Sequence, residues 1–397
     1  MSPLLIRRLR LNGFLSFAPG TEPFALQSLN VLIGPNGSGK SNIIEAMELL
    51  RTTPADFAAA IRDGGGPHEW LWKGDATASP ATLDIDLDRC EPTGRPLRYR
   101  LEFAAVQSRV EVLDEAIEEV EAIPGKADVR FYYRFQHGRP ALNVRAEGPK
   151  GKLVERKLRR ETLMPDQSVL AQRKDPDIYP EVTWLGQQFG AIQTFREWSF
   201  GRSAALRKPQ PADLPDDYLL PDASNLALVL NQIEHKDPRR LNDLLKRFFP
   251  RFERMSTRVS GGSVQFYLHE SGFSTPISST RLSDGTLRFI ALLASLLAPS
   301  SPPLLCIEEP ELGLHPDAVA LLGDLLLEAS TRMQLIVTTH SDALISALTS
   351  QPDTVVACER PGAGTTLRRL DPQQLSSWLD RYRLGDLWRM GELGANP

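Results

Sequence analysis

Apolar positions along the chain fall into short strand-like runs and longer helical spacings that alternate toward the carboxyl end. "LLIRRLRLNGFLSF" and "LQSLNVLIG" read as two short strands, the second ending in a Gly-rich turn. "SNIIEAMELL" then takes helical spacing, which gives strand, loop and helix in order. "DGGGP" at 63–67 is a break, and "ATLDIDLD" and "LRYRLEFAAV" alternate as antiparallel strands do. "VEVLDEAIEEVEAI" and "RFYYRFQHG" either extend that sheet or decorate it, and from about 145 to 180 the periodicity fades. "SNLALVLNQI" and "RRLNDLLKRFFP" predict helices and "SVQFYLHE" a strand. Beyond them "GTLRFIALLASLL", "PLLCIEE", "PDAVALLGDLLLEAS" and "MQLIVTTHS" alternate helix and wholly apolar strand. That alternation predicts a parallel sheet covered on both faces. The tail "DPQQLSSWLDRYRLGDLWRMG" predicts a helical segment with Asp371 as N-cap and Pro372 in the first turn.

Composition narrows the class without naming a function. The 397 residues are 41% hydrophobic and 24% charged, values of an ordinary globular protein with room for a large core. A net charge of −4 supplies no global attraction to nucleic acid or anionic membrane, so such a contact needs a local patch. Cys90, Cys306 and Cys358 fit neither a disulfide framework nor a zinc spacing, and a reducing cytoplasm is expected. The amino terminus has no apolar run of signal-peptide or membrane-spanning length.

"GPNGSGKS" at 34–41 has the spacing of a P-loop, with a strand before it and a helix after it. Backbone N–H groups around Gly34, Asn36, Gly37, Ser38 and Gly39 would converge on phosphate oxygens at the amino end of the helix. Lys40 is the candidate for the β- and γ-phosphates, Ser41 for Mg²⁺, and Asn42 completes the motif. "LLCIEEPELGLHP" delivers carboxylates at the end of an apolar strand: Glu308 to support the metal, Glu309 facing the other way to polarise a water. A solvated acidic loop after a core strand is the plainer alternative. His340 ends the strand of "LIVTTHS" and is either a structural histidine or a γ-phosphate sensor. "LSDGT" at 282–286 places Ser283 and Gly285 at the amino end of a helix, as an anion site or as an ordinary Ser cap.

The order "GPNGSGKSN", "LSDGT", "LCIEEPELGLHP", "TTHS" resembles the ABC-type ATPase superfamily, whose motifs run Walker A, "LSGGQ" signature, Walker B, switch histidine. "PELGLHP" and "TTHS" resemble its soluble branch of chromosome-maintenance, recombination-repair and overcoming-lysogenization-defect ATPases, and the two ends look like stand-alone bacterial ATPases. The resemblance implies an α/β head: a mostly parallel core sheet flanked by helices, an antiparallel β subdomain and a helical signature lobe. It further implies one head over 1–397, with lobe I at about 1–105 and 296–370 and a variable segment at about 106–220. The signature lobe falls at about 221–295 and a helical tail at 371–397. By the same resemblance ATP and Mg²⁺ are the cofactors. Ser283 and Gly285 of one copy would reach the ATP of a second copy, so an ATP-dependent homodimer is expected. Glu309 and His340 would complete catalysis. Asp284, Thr286 and Glu308 depart from the commonest motif residues, and no clean Q-loop glutamine is visible; Gln172 and Gln193 are the candidates.

The middle of the chain lacks sustained heptads, and the stretch after His340 is too short for an appended nuclease domain. If nuclease or toxin action is involved, it is therefore expected of a partner protein. "KGKLVERKLRRE" (150–161) and residues 236–258 are basic stretches that could meet DNA or could be solvated faces. The expectation is a cytoplasmic Mg²⁺-ATPase acting in DNA repair or phage defence through DNA or a partner effector. The alternatives are a nucleotide-binding switch with little turnover and no DNA contact, or a transporter-associated subunit.

Overall fold

The computed structural model describes residues 4–394 apart from 75–78, 123–124, 126–127, 137–138, 146–152, 197 and 363. From the amino end come β1 (Ile6–Asn12), β2 (Phe24–Ala25) and β3 (Leu29–Ile33), then α1 (Lys40–Thr52), α2 (Phe57–Asp63) and α3 (Pro67–Trp70). Next are β4 (Ala81–Cys90), β5 (Arg95–Val106), β6 (Arg109–Ala122), β7 (Val129–Gln136), β8 (Arg139–Arg145) and β9 (Leu153–Lys157). α4 (Val169–Gln172), α5 (Pro180–Gly190), β10 (Gln193–Phe195) and β11 (Gln210–Pro211) lead to α6 (Leu226–Lys236) and α7 (Pro238–Phe248). The hairpin β12 (Phe252–Ser260) and β13 (Ser263–Glu270) follows, with β14 (Ile277–Ser278) beside it. The remainder alternates: α8 (Asp284–Leu297), β15 (Leu304–Glu308), α9 (Pro316–Ala329), β16 (Gln334–Thr338), α10 (Asp342–Ala347), β17 (Val355–Glu359) and β18 (Thr366–Arg369). The described tail holds α11 (Pro372–Leu379) and α12 (Leu384–Met390).

The expected parallel sheet has strand order β10-β15-β16-β3-β17-β18, parallel throughout except for β18. Period-two alternation sends its side chains into two separate cores. Leu32, Cys306, Ile336 and Val356 face α1 and the antiparallel sheet. Val31, Leu305, Ile307, Val337 and Val355 face α8, α9, α10 and α12. Apolar residues on both faces account for the wholly hydrophobic strands in the sequence.

The antiparallel sheet runs β2-β1-β4-β5-β6-β7-β8-β9. Its inward positions, among them Leu83, Ile85, Leu97, Tyr99, Leu101 and Phe103, pack on the apolar stripe of α1. "VEVLDEAIEEVEAI" and "RFYYRFQHG" thus extend the sheet, although residues 137–138 of the latter lie outside the described residues. β6 to β9, read from sequence as part of a variable segment, are continuous with β4 and β5 through hydrogen-bonded pairing. A third, smaller sheet of β11, β12, β13 and β14 lies with α6 and α7 against α8. Among the described residues no helix is long and apolar enough to cross a membrane, and the three cysteines are buried and free.

Candidate phosphate and metal site

The site begins where β3 ends. Its five residues are all buried, so the chain leaves the sheet at Gly34 in a fixed place. The loop turns into α1 through Gly39 at φ 98°, where a Cβ would stand 2.6 Å from Ser16 Oγ, so a larger residue is excluded on two counts. Asn36 and Gly37 lie exposed at the crest of the loop. Lys40 curls back into it, Nζ donating to Gly34 O at 2.7 Å and Pro35 O at 3.1 Å. Burial pushes this ammonium below its ordinary range, opposed in part by the Glu309 and Glu308 carboxylates. Ser38 Oγ is buried without a hydrogen-bond partner. Asn42 supports the loop from behind, donating to Ser16 Oγ at 2.7 Å, while Thr365 Oγ1 donates to Ser38 O at 2.9 Å.

Strand register brings the acidic half to the same edge. Glu308 of β15 pairs with Thr338 of β16, which pairs with Leu32 of β3. Ser41 Oγ donates to Glu308 Oε1, so the two expected metal-binding side chains already meet. Glu309 turns away at φ 45°, an unusual backbone for a glutamate, held by N–H donation to Thr338 O at 3.1 Å. Its Oε1 lies 3.6 Å from His340 Nε2, too far for a hydrogen bond. Burial lowers the His340 pKa and nearby Lys40 adds to this, with Glu309 opposing, so the ring is neutral at pH 7.

Two residues that the sequence reading did not single out complete this edge. Glu311 Oε1 accepts from Thr339 Oγ1 at 2.7 Å and from the His340 backbone N–H at 2.8 Å, tying the acidic loop to the histidine. Arg196, the residue after β10, donates through Nε to Glu308 Oε2 at 2.9 Å. Its other nitrogens meet Glu45 at 3.0 Å and Glu48 at 3.4 Å on α1. The parallel pairing of β10 with β15 places it there, and no local motif reveals that pairing.

Ser283 is the N-cap of α8, its Oγ accepting from Thr286 N at 3.1 Å, and it is exposed. The departure at Asp284 has a physical account: buried Arg207 pairs with its carboxylate while donating to Leu282 O at 2.6 Å and Phe200 O at 2.7 Å. One guanidinium therefore clamps both the backbone and the side chain of the motif. Gly285 packs on the acidic loop, where an added Cβ would lie 2.5 Å from Gly313 O. Among the described residues no hydrogen bond joins Ser283 or Gly285 to residues 34–41.

The Q-loop candidates are not brought to this site. Gln172 caps a different cavity, bonding Met164 N at 2.7 Å and Gln167 O at 2.9 Å. Gln193 pairs with Leu305, at the opposite end of β15 from Glu308. The basic stretch 236–258 is partly neutralised within the chain, Arg240 pairing with Glu328 and Arg247 with Asp324. Its aromatics serve the core, Phe248 stacking on Phe289 at 3.9 Å. Of 150–161, residues 150–152 lie outside the described residues, and β9 is an exposed edge strand.

The residues present fit a nucleotide phosphate with its metal. The unpartnered Ser38 hydroxyl and the Lys40 ammonium, satisfied only by loop carbonyls, offer donors to an anion. The Ser41–Glu308 pair offers hard oxygen donors to Mg²⁺. Among curated proteins, the chromosome partition protein Smc of Cereibacter sphaeroides is 37% identical over 93 residues, 22% of this chain and 8% of that protein. The Smc of Rhodopirellula baltica is 38% identical over 77 residues, 19% of this chain and 6% of that protein. The chain thus aligns with less than a tenth of the length of either. Among solved structures, the SmcHead bound to the C-winged helix domain of ScpA superposes with a TM-score of 0.57 at 14% identity, covering 94% of this chain and 99% of that one. The Smc head domain with an extended coiled coil, bound to the C-terminal domain of ScpA and derived from Pyrococcus furiosus, gives 0.56 at 13% identity over 95% and 98%. These likenesses establish the fold of an ABC-type head. Residues 29–346 match the family described as "AAA domain, putative AbiEii toxin, Type IV TA system", and the chain, with the fold of an ABC-type head, belongs to that family.

Proposed function

We propose that the chain is a Mg²⁺-dependent ATP hydrolase that dimerises on ATP, each copy completing the other's site. The observation that carries this reading is the convergence of Lys40, Ser41, Glu308, Glu309 and His340 at one edge of a parallel sheet, with Ser283 exposed elsewhere on the same chain. Lys40 and the loop N–H groups bind the β- and γ-phosphates. Ser41 and Glu308 would hold Mg²⁺, which when bound supplies positive charge to the phosphate oxygens. Glu309, set by its turned backbone, orients the attacking water and accepts its proton. Neutral His340, fixed through Glu311, donates to the γ-phosphate. Ser283 and the N–H groups at the start of α8 approach that phosphate from the second copy. Positioning and charge stabilisation dominate such chemistry, so a lone copy turns over slowly. DNA repair or phage defence, in the cytoplasm and through DNA or a partner effector, is the biological role this reading favours.

Glu309→Gln tests it. The variant should retain ATP and accumulate as a dimer in light scattering; a monomer at saturating ATP would remove the composite site from the proposal. A second reading, a nucleotide-binding switch that gates a toxin or nuclease partner with little turnover, is favoured by the family's description as a toxin–antitoxin component. Turnover that stays negligible in wild type at every protein concentration, with ATP binding intact, selects it.

A further inference from the structure

Arg196 raises a question that the proposed chemistry does not answer. An arginine cannot ligate a metal, yet this one sits on the carboxylate assigned to Mg²⁺. The two oxygens of Glu308 are divided: Oε1 takes the Ser41 hydroxyl, and Oε2 takes Arg196 Nε at 2.9 Å. The same guanidinium reaches Glu45 at 3.0 Å and Glu48 at 3.4 Å, so one cation answers three carboxylates. Its side chain is only 26% exposed. Burial acts most strongly against its charge, but the hydrogen bonds and charges of Glu308 and Glu45 together outweigh it, and the guanidinium stays firmly protonated. No other cationic side chain pairs with Glu308 or Glu45 among the described residues.

We propose that Arg196 is a resident counter-cation of the metal site, a positioning residue that occupies Glu308 in the nucleotide-free protein and competes with Mg²⁺ for it. The proposal rests on the assignment of Glu308 to the metal. A dication arriving alone meets a carboxylate already neutralised and a guanidinium of like charge beside it. Arriving with ATP, it brings phosphate charge that offsets the guanidinium. The competition therefore couples metal entry to nucleotide entry, and keeps the acidic edge from collecting divalent ions between turnovers. It also explains why a hydrogen-bonding fork, rather than a point charge, stands here: three acceptors lie in different directions.

The test is thermal melting in MgCl₂ without nucleotide, which reads metal binding independently of catalysis. Wild type should show no upward shift at millimolar Mg²⁺. R196Q, whose carboxylates lose their cation, should melt lower and be raised by several degrees by Mg²⁺. R196K, which keeps one compact charge, should show a smaller rise and serves if R196Q does not fold. The double variant R196Q/E308Q should lose most of the gain. In parallel, the Mg²⁺ concentration for half-maximal binding of a fluorescent ATP analogue should fall several-fold in R196Q. A wild-type shift as large as the variants', or no Mg²⁺ response in either Arg196 variant, overturns the proposal and leaves Arg196 as a brace between β10 and α1. Failure of wild type to bind the analogue at all would instead overturn the ATPase reading.

Discussion

Glu115 lies on β6 with only 1% of its surface exposed, its carboxylate accepting from Tyr99 Oη at 2.9 Å, from Ser168 Oγ and from Val169 N at 2.8 Å. Burial outweighs these three donors and pushes its pKa up from 4.5 to about 7. The folded state therefore holds this proton more tightly than the unfolded chain does. Stability from Glu115 is fully present below pH 4.5 and is lost as pH rises toward 7. The loss is on the order of 3 kcal/mol at most. Chemical denaturation of wild type and Glu115→Gln from pH 4.5 to 8 should give curves that separate with rising pH and run parallel above about 7. Curves parallel throughout would mean that the group does not titrate in this window. Glu115 carries no local mark in the sequence, since alternating glutamates read as one solvated face. Lys40, Ser41, Glu308 and Glu309 were legible because fixed spacing and strand context select them. Arg196 was not, because its place depends on a pairing with β15 more than a hundred residues away.

Helix α8 shows how one element joins two parts of the site. Its first turn touches the acidic loop through Gly285 and Gly313, and Arg207 holds its cap through Asp284 and Leu282 O. Gly285→Ala would place a methyl group 2.5 Å from Gly313 O and push helix and loop apart. Steady-state turnover should fall at least about tenfold, roughly 1.4 kcal/mol of transition-state stabilisation. ATP affinity, measured by calorimetry, should stay within about threefold, since the phosphate loop is untouched. A loss confined to affinity would contradict the role of α8 given above. At this scale the alternating helices and strands of the carboxyl half were readable because a strand buried on both faces admits few polar residues. β6 to β9 were harder: "VEVLDEAIEEVEAI" mixes acidic residues into a strand whose partners Arg95, Arg98, Arg130 and Arg134 come from neighbouring strands.

At the scale of the molecule, a composite site makes a demand that a self-contained one does not. Ser283→Arg spoils the cap while leaving the P-loop, and Lys40→Ala does the reverse. Each alone should be inactive. Mixed in equal amounts they should recover about a quarter of wild-type turnover, because half the dimers are mixed and each carries one complete site of two. No recovery in the mixture, with each variant folded by circular dichroism, counts against the dimer. The expectation of a second copy comes only through resemblance, since no single-chain pattern encodes a second chain.

The division of the parallel sheet into two cores has a mechanical consequence. Helix α1 is wedged between that sheet and the antiparallel one, with Ile43, Ile44, Met47, Leu49 and Leu50 all buried there. Sliding it would open voids against both neighbours at once. The end of α1 that carries the candidate phosphate loop is thus held in place from two sides. A movement coupled to the proposed hydrolysis would then fall to elements other than α1, such as the layer of α6, α7 and α8 with its small sheet.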